Sequence, residues 1–329
     1  MSCKKYTVGG VEASSPIWLA PLAGVTTRTF REFHARLGAG LVHTEMISAT
    51  GLSYKNNKTS RMLGDESERG PVIIQLFGPD SVGMLKGAEA AFARRRYDAV
   101  QINMACPMPK VTKKSGGASL LGFPSEAADM VKKLKSLGVP VWVKLRLADP
   151  RAHPMPTGDF CELMLASGAD LLLLHGRTPS QRYEGVADKN AVCDVAARFP
   201  GLVAGSGDFY SPDDARRYLD GGCVAALAAR GVMRDAFLIP KTLAELGFQV
   251  DAQFSDPTPS RQIEALIEMA REATRHEGER FALVMAHRML SGILKGLPGA
   301  SALRQACASC WDFKSFEENL LRWTPGNTW

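Results

Sequence analysis

Residues 139–145 read V-P-V-W-V-K-L, an apolar and β-branched run that contains a single lysine. A run without alternating polar residues predicts a strand that is buried on both faces, as strands of parallel sheets are. The amphipathic stretch 125–137 comes just before it and predicts a helix that packs against the sheet. Together the two segments predict one helix–strand unit of a parallel α/β fold.

The same unit recurs through the first 244 residues. Apolar runs predict eight strands, at 17–20, 40–44, 72–76, 99–102, 139–145, 170–174, 202–204 and 223–228. Helical periodicity fills the intervals, for example at 81–95 and 212–220. Eight strand–helix units in about 240 residues predict a (β/α)₈ TIM barrel. A doubly wound open sheet is the alternative, but no G-x-G-x-x-G motif opens its first helix.

The pattern changes after residue 244. Residues 249–259 are polar and contain two prolines, which predicts a linker. Helical stretches follow at 261–275, 280–295, 300–310 and 314–322. We therefore predict a barrel domain over residues 1–244 and an all-helical domain over residues 245–329.

The composition narrows the class of protein. Hydrophobic residues make up 45% and charged residues 22% of the 329 residues, as in soluble globular proteins. No run of 18 apolar residues and no apolar leader occur, so we expect a cytoplasmic protein without a membrane partner. The net charge of +6 permits a polyanionic partner without requiring one. Seven cysteines, including a lone C-x-x-C at 307–310, favour neither a disulfide framework nor a zinc site.

Polar and small residues follow every predicted strand. In (β/α)₈ enzymes the functional groups stand at these C-terminal strand ends. The residues are Pro21 to Gly24, Glu45, Gln75, Asn103 with Cys106, Lys144 with Arg146, His175 with Arg177, Gly205 to Asp208, and Ala229 to Gly231. Any one of them is ordinary at a strand end, but their convergence on one barrel mouth predicts an active site.

The loops after the seventh and eighth strands have the features of a phosphate site. Gly205 and Gly207 allow the backbone to approach an anion closely, and Arg230 adds a fork of donors. These two loops are the recurrent phosphate site of the fold. We predict a phosphorylated cofactor here, with a tight turn that binds no ligand as the alternative.

Lys144 stands inside an apolar strand, where an ammonium group needs a partner. The partner is either the negative charge of a ligand, such as a reduced flavin ring, or the carboxylate of Glu45. The sequence leaves both possibilities open.

Cys106 lies in a loop before the basic residues Lys110, Lys113 and Lys114. A free thiol is mostly protonated near neutrality and can donate a proton, although adjacent lysines can favour the thiolate. We call this loop the basic lip and interpret it as the binding site of a phosphate-rich substrate, with a solvated charged surface as the alternative.

These segments resemble the tRNA dihydrouridine synthase family. The matching stretches are A-P-L-A-G-V-T-T-R-T-F-R (20–31), Q-L-F-G (75–78), N-M-A-C-P-M-P-K-V (103–111), G-G-A-S-L-L (116–121), V-K-L-R (143–146), H-G-R-T-P-S-Q-R-Y-E-G (175–185), G-S-G-D (205–208), A-R-G (229–231) and I-L-K-G-L-P-G-A (293–300). The resemblance runs in order from about residue 16 to about residue 310, nearly the whole chain.

The resemblance implies an FMN enzyme that uses NADPH or NADH to reduce the uracil 5,6 double bond of specific uridines in tRNA. Cys106 would give the proton to carbon 5, and the helical domain would help to hold the tRNA. The family also implies a monomer. Cofactor-binding residues would be Pro21, Leu22, Ala23, Gln75, Lys144, His175, Ser206, Gly207, Asp208, Ala229 and Arg230. Substrate-binding residues would be Asn103, Lys110, Arg146 and Arg177.

The chain departs from the family pattern at several positions. The family usually has Met at Leu22, Asn at Ser206 and Gly at Ala229, and the usual Gly-Trp after the V-K-x-R segment is Leu147-Ala148 here. An aromatic pair that often precedes the Lys-Gly turn is Gly292-Ile293. These changes concern cofactor geometry and tRNA docking, and they leave Cys106 in place.

Two other functions compete with this one. The first is an FMN-dependent barrel oxidoreductase that acts on a small molecule, against which the helical domain and the basic lip argue. The second is a noncatalytic RNA-binding barrel, against which the intact Cys106, Lys144 and His175 argue. Dependence on tRNA and the presence of bound flavin distinguish the three. Neither the identity of the reduced uridine nor the choice of NADPH over NADH follows from the sequence.

Overall fold

The computed structural model describes residues 6–323 except residues 55, 65, 69, 114 and 298. Lys114 and Pro298, which belong to the motifs above, lie outside the described residues. The strands are β1 (Tyr6–Val8), β2 (Val11–Ala13), β3 (Ile17–Leu19), β4 (Val42–Ser48), β5 (Val72–Phe77), β6 (Ala99–Met104), β7 (Val141–Arg146), β8 (Leu171–His175), β9 (Val203–Ser206) and β10 (Ala226–Ala228).

Eight of these strands, within the described part of the chain, close a parallel barrel in the order β10-β3-β4-β5-β6-β7-β8-β9. The predicted (β/α)₈ TIM barrel is therefore confirmed. Each of the eight predicted runs overlaps one barrel strand. The short antiparallel pair of β1 and β2 was not predicted, because three-residue strands give too little pattern to recognise.

Helices surround the barrel and follow it. They are α1 (Arg28–Arg36), α2 (Ala49–Ser53), α3 (Asn57–Ser60), α4 (Ser81–Phe92), α5 (Pro109–Thr112), α6 (Pro124–Lys135), α7 (Thr157–Ala166), α8 (Lys189–Arg198), α9 (Pro212–Asp220), α10 (Leu238–Glu245), α11 (Ala252–Ser255), α12 (Pro259–His276), α13 (Glu279–Ile293), α14 (Ala300–Ala308) and α15 (Phe313–Arg322). Three 3₁₀ helices lie at Arg61–Leu63, Gly117–Gly122 and Arg230–Met233. Within the described residues, none of these helices combines the length and apolar character that a membrane span needs.

The N-terminal end of the barrel is closed by aromatic rings and by the hairpin of β1 and β2. Trp18 and Trp142 stack across the interior with ring centroids 5.6 Å apart. The indole Nε1 of Trp142 donates to the carbonyl oxygen of Gly9 in the hairpin turn, at 2.8 Å. Gly9 and Gly10 both have positive φ there (52° and 81°), which side chains resist. With this end closed, the opposite end of the barrel carries the open cavity.

Polar side chains form the next layer of the interior, above the two tryptophans. His43, Gln75, Gln101 and Lys144 are all buried at this level. Gln75 and Gln101 are register partners on β5 and β6, and the His43 ring lies 6.2 Å from that of Trp142. Buried polar side chains destabilise a barrel unless they are paired or face a ligand. This layer therefore indicates a ligand-binding site in the interior above it.

The C-terminal helices pack together and against the barrel. Helix α12 contacts both α13 and α1, and the hydroxyl of Thr29 on α1 donates to the carboxylate of Glu277 at 2.8 Å. The segment predicted as a polar linker contains α11, and its Phe254 stacks on Phe237 with centroids 5.9 Å apart. This aromatic contact fixes the connection on the barrel surface.

Candidate active site

A cavity of about 1370 Å³ opens at the C-terminal ends of the barrel strands, and we call it the barrel cavity. Nearly all of the residues predicted for the site line it. They are Pro21, Leu22, Ala23, Gln75, Asn103, Cys106, Lys110, Lys144, Arg146, His175, Ser206, Gly207, Asp208, Ala229 and Arg230. Arg177 is buried and meets the wall through Asp208.

Asn103, at the end of β6, shapes the loop that carries Cys106. Its side-chain oxygen accepts hydrogen bonds from the backbone N–H groups of Ala105 at 3.1 Å and Cys106 at 2.9 Å. The carbonyl oxygen of Cys106 in turn accepts from the N–H of Ala118 at 2.9 Å. These bonds hold a half-buried free thiol at the cavity wall.

Arg146, at the end of β7, braces the same loop from another side. Its Nε donates to the carbonyl oxygen of Ala105 at 2.8 Å. Its Nη1 donates to the carbonyl oxygens of Thr178 at 3.1 Å and Arg182 at 2.7 Å, which lie beyond β8. Burial lowers the pKa of the Arg146 guanidinium from its usual range. Arg146 therefore ties together the loops after β6 and β8 and places a cation beside Cys106.

Lys144 is buried in β7, and its ammonium has no hydrogen-bond or ion-pair partner among the residues that the structure describes. Burial, with a smaller contribution from the Arg146 charge, lowers the pKa of Lys144 from 10.5 to about 7. Glu45 does not supply the partner that was one of the two possibilities: no ion pair joins it to Lys144 within the described residues, and its carboxylate accepts from the N–H of Gly24. Burial raises the pKa of Glu45. Lys144 is thus a buried amine that is only partly protonated near pH 7, and an anionic ligand would favour its charged form.

His175, at the end of β8, presents a second group without a partner. Its Nε2 is buried and has no hydrogen bond within the described part of the chain. Burial first, and then the charges of Lys144 and Arg146, lower the pKa of His175 to about 2. The ring is therefore a neutral imidazole in the cavity wall and can serve a ligand as donor or acceptor.

The loops after β9 and β10 lie close together where glycine is required. Gly207 has a φ of 121°, and a Cβ there would lie 2.7 Å from the Cβ of Ala187. A Cβ on Gly231 would lie 2.2 Å from the carbonyl oxygen of Phe209. These contacts require bare backbone at both positions, next to Ser206 and Ala229 in the cavity wall.

Asp208 links two arginines at this end of the cavity. Its carboxylate accepts from Arg177 at 2.5 Å and 3.0 Å, from Arg230 at 2.9 Å, and from the N–H of Ala187 at 2.8 Å. The remaining bonds of Arg177 go to the carbonyl oxygens of Glu184 and Gly185. Asp208 has a positive φ of 43°, and these bonds hold it in that conformation. Arg177 is thus engaged in holding the wall.

Several residues of the site were not predicted from the sequence. Tyr183 and Tyr210 line the cavity, and the Arg230 guanidinium lies over their rings at 4.9 Å and 5.8 Å. Gln101 underlies Gln75, with the Gln75 Nε2 donating to the Gln101 Oε1 at 2.5 Å. Gln101 did carry a signal, since it is a polar residue between Val100 and Ile102 in an apolar strand.

The cavity therefore has two chemically distinct parts. In the first, the buried amine of Lys144, the neutral His175 and the amide of Gln75 face the side on which Cys106 stands. In the second, a glycine-lined backbone and Arg230 form an anion-binding wall. An extended ligand with a polar ring and an anionic group fits this arrangement.

Comparison with known proteins gives the family. A family model described as Dihydrouridine synthase (Dus) matches residues 18–324. The chain is 32% identical to the probable tRNA-dihydrouridine synthase 1 of Synechocystis sp., over 92% of this chain and 84% of that protein. It is 31% identical to the probable tRNA-dihydrouridine synthase of Mycobacterium tuberculosis, over 94% and 82%. It is 26% identical to tRNA-dihydrouridine synthase B of Pasteurella multocida, over 93% and 92%.

Solved structures resemble the chain in fold. The crystal structure of TcOYE with pHBA aligns with a TM-score of 0.54 and 12% identity, over 79% of this chain and 97% of that chain. Histamine dehydrogenase from Rhizobium sp. 4-9 aligns with a TM-score of 0.55 and 16% identity, over 82% and 50%. At these identities the likeness concerns the barrel alone. Because the family model covers almost the full length and relatives above 30% identity cover it as well, the chain belongs to the dihydrouridine synthase (Dus) family.

Proposed function

We propose that this protein is a tRNA dihydrouridine synthase that binds FMN, takes electrons from NADPH or NADH, and uses Cys106 as its proton donor. The observation that carries the proposal is the position of the Cys106 thiol. It lies on a loop fixed by Asn103 and Arg146, in the same cavity as the unpaired Lys144 and His175. Membership in the Dus family supports the reaction class.

The ring of FMN fits the first part of the cavity. Lys144 and the buried Nε2 of His175 lack partners within the described residues, and a ring edge with acceptor and donor atoms would satisfy them. Lys144 would also stabilise negative charge on such a ring, because an opposite charge nearby favours the protonated form of the lysine. Pro21, Leu22 and Ala23 would pack on the ring, and Gln75 would contact its edge.

The phosphate of FMN fits the second part of the cavity. Gly207 leaves the backbone open to an anion, and Arg230 offers a fork of donors at the same wall. Ser206, Asp208 and Ala229 complete this wall. We assign Arg177, which the resemblance places at the substrate, to holding Asp208 and through it Arg230.

The chain's own chemistry centres on Cys106. When bound, FMN would supply a hydride to carbon 6 of the uracil after reduction by the nicotinamide. Cys106 would then break its S–H bond and form the new C–H bond at carbon 5, leaving a thiolate that solvent reprotonates. Lys144 and Arg146 lie close enough to Cys106 to interact with its charge, so both would stabilise that thiolate.

The uridine must leave its stack in tRNA to reach this cavity. Lys110 stands at the exposed lip, on the short helix α5, where it would meet a phosphate. Asn103 would contact the uracil as well as the loop of Cys106. We assign FMN binding and catalysis to residues 1–244 and tRNA binding to residues 245–329, acting as a monomer without a protein partner.

Mass spectrometry of tRNA tests the proposal. Purified protein is given FMN, NADPH or NADH, and tRNA transcripts that lack the modification. We expect a gain of two hydrogens at a defined uridine, and that position names the target. A yellow protein that NADPH bleaches without modifying tRNA would instead indicate an oxidoreductase for a small molecule. A colourless protein that FMN does not restore would indicate a noncatalytic RNA-binding barrel.

A further inference from the structure

A chain of side-chain amides runs from the middle of the barrel to the loop of Cys106. Asn103 accepts from the N–H of Cys106 at 2.9 Å through its Oδ1. The Nδ2 of Asn103 donates to the Oε1 of Gln75 at 2.8 Å. The Nε2 of Gln75 then donates to the Oε1 of Gln101 at 2.5 Å. Three carboxamides on two neighbouring strands thus connect the interior to the thiol loop.

The direction of this chain is fixed by the backbone. The N–H groups of Ala105 and Cys106 can only donate, so the atom of Asn103 that faces them must be its oxygen. The amide nitrogen of Asn103 then faces Gln75 and requires an oxygen there. The same reasoning turns the Gln75 nitrogen toward Gln101, whose oxygen must receive it.

Gln101 closes the chain at its buried end. Its side chain is fully buried, and its Nε2 has no partner within the residues that the structure describes. A buried amide with an unpaired N–H is less stable than an apolar side chain of the same shape. The contribution of Gln101 therefore lies in its oxygen, which accepts from the Nε2 of Gln75 and anchors that amide at the buried end of the chain.

We propose that Gln101 is a positioning residue that sets the location of the Cys106 thiol through Gln75 and Asn103. This inference rests on the proposed role of Cys106 as proton donor. Without the acceptor on Gln101, the Nε2 of Gln75 would lose its partner, and the Gln75 side chain would be held at one end only. The Oε1 of Gln75 would then hold the Nδ2 of Asn103 less firmly, and the bonds of Asn103 to the N–H groups of Ala105 and Cys106 would loosen.

Two substitutions separate the role of the oxygen from the role of side-chain volume. Gln101→Glu keeps an acceptor toward Gln75 in either protonation state, and it removes an N–H that has no partner in the described residues. Gln101→Met keeps the length and approximate volume of the side chain and removes the acceptor. Ile102→Leu, at the adjacent buried position of β6, is the matched control for altered packing.

The experiment measures the reactivity of the thiol as well as turnover. Iodoacetamide labels the flavin-free protein, and mass spectrometry follows the Cys106 peptide over time. We expect alkylation of Cys106 in Gln101→Met to be faster by at least about threefold, a factor typical of the loss of one hydrogen bond. In the FMN-loaded enzyme, kcat should fall by about tenfold to a hundredfold while KM for tRNA stays unchanged. Gln101→Glu and Ile102→Leu should stay close to the original protein in both assays.

Two results would overturn the inference. One is unchanged alkylation and kcat in a folded Gln101→Met protein. The other is a Gln101→Glu protein as impaired as Gln101→Met, since then the acceptor is not what matters. If Gln101→Met does not fold, Gln101→Leu takes its place with the same expectations. A third result separates the two proposals. If neither the original protein nor any variant reduces tRNA, but Cys106 is still alkylated faster in Gln101→Met, the proposed reaction fails and the positioning role of Gln101 stands.

Discussion

Arg230 and Asp208 meet in the wall of the barrel cavity, with 2.9 Å between the guanidinium Nη2 and the carboxylate Oδ1. The opposite oxygen of Asp208 is held by Arg177 at 2.5 Å. The Arg230 side chain also lies over the ring of Tyr183 at 4.9 Å. A cation that is already held in place loses little freedom when an anion binds, which favours binding.

The first prediction concerns this arginine and the FMN phosphate. Arg230→Ala should weaken FMN binding by about tenfold to a hundredfold, because a hydrogen-bonded charge is lost. Arg230→Lys should bind FMN with an affinity between those of the original protein and Arg230→Ala, since it keeps the charge and loses the fork of donors. Fluorescence titration of the flavin-free protein with FMN measures the Kd.

Arg234→Ala is the matched control for Arg230. Arg234 ends the same 3₁₀ helix and stacks over Tyr210 at 4.5 Å, outside the lining of the cavity. Its removal should leave FMN affinity unchanged. Equal affinity of the Arg230→Ala and original proteins would contradict the assignment of the phosphate site.

The second prediction concerns Cys106 as proton donor. Cys106→Ala should keep the fold, bound FMN and tRNA binding, while dihydrouridine formation falls by about a hundredfold to ten-thousandfold, as expected for loss of a general acid. Anaerobic bleaching of the flavin by NADPH should proceed as before. Cys193→Ala, which removes a thiol on helix α8, serves as the control. Full tRNA turnover in Cys106→Ala would rule out the proton-donor role.

The third prediction follows from the buried charge of Lys144. Its pKa is lowered to about 7 in the folded protein, chiefly by burial, from 10.5 when exposed. Between these two values the unfolded chain binds a proton that the folded chain does not, so the free energy of unfolding rises with pH. Below pH 7 Lys144 is protonated in both the folded and the unfolded chain, so its burial lowers the free energy of unfolding by the full amount. Lys144→Met should therefore stabilise the flavin-free protein most at pH 7 and below, with the gain shrinking toward pH 10.5.

Urea unfolding of the flavin-free protein at pH 6.5 and 9.5 measures this effect. From pH 6.5 to pH 9.5 the free energy of unfolding should rise more in the original protein than in Lys144→Met, by on the order of a few kcal/mol. Lys132 is exposed on α6, so Lys132→Met should keep the same pH dependence of unfolding as the original protein. A gain of equal size at both pH values would mean that Met packs better, and that the charge of Lys144 is not the cause.

The sequence predicted the barrel well where local signals were complete. Helix α9 was predicted from its periodicity at its observed bounds, 212–220, and the structure shows a Ser211 cap before Pro212 and Gly221 at the end of the helix. Ser211 and Asp214 form a reciprocal capping box that starts it. The hairpin of β1 and β2 was not predicted, because its short strands are held by a tertiary contact, the hydrogen bond from Trp142 to the hairpin turn.

The lining of the site was predictable because the fold places strand ends together, but its pairings were not. Lys144 and Glu45 sit on strands separated by two others, and nothing local decides whether they meet. Arg177 and Arg230 look alike in sequence, yet one is fully buried against Asp208 and the other reaches the cavity. Gln101 was overlooked because its role depends on two amides from other positions.

The last prediction concerns the helical domain and tRNA. The exposed Arg288 on α13 reaches across to the barrel, where its Nη1 donates to the carbonyl oxygen of Gly24 at 3.3 Å. Gly24 directly follows Pro21, Leu22 and Ala23 in the cavity lining, so this cation stands at the cavity mouth. A tRNA whose uridine enters the cavity would place its phosphates near Arg288.

Arg288→Glu should therefore raise KM for tRNA by about threefold to tenfold and leave the rate of flavin bleaching by NADPH unchanged. The dependence of tRNA binding on salt should also weaken, with a slope smaller by about 1, as for the loss of one phosphate contact. Lys132→Glu makes the same change of charge on the exposed side of α6 and controls for net charge alone. If Lys132→Glu raises KM as much as Arg288→Glu does, the effect belongs to overall charge, and α13 does not contact the tRNA at this point.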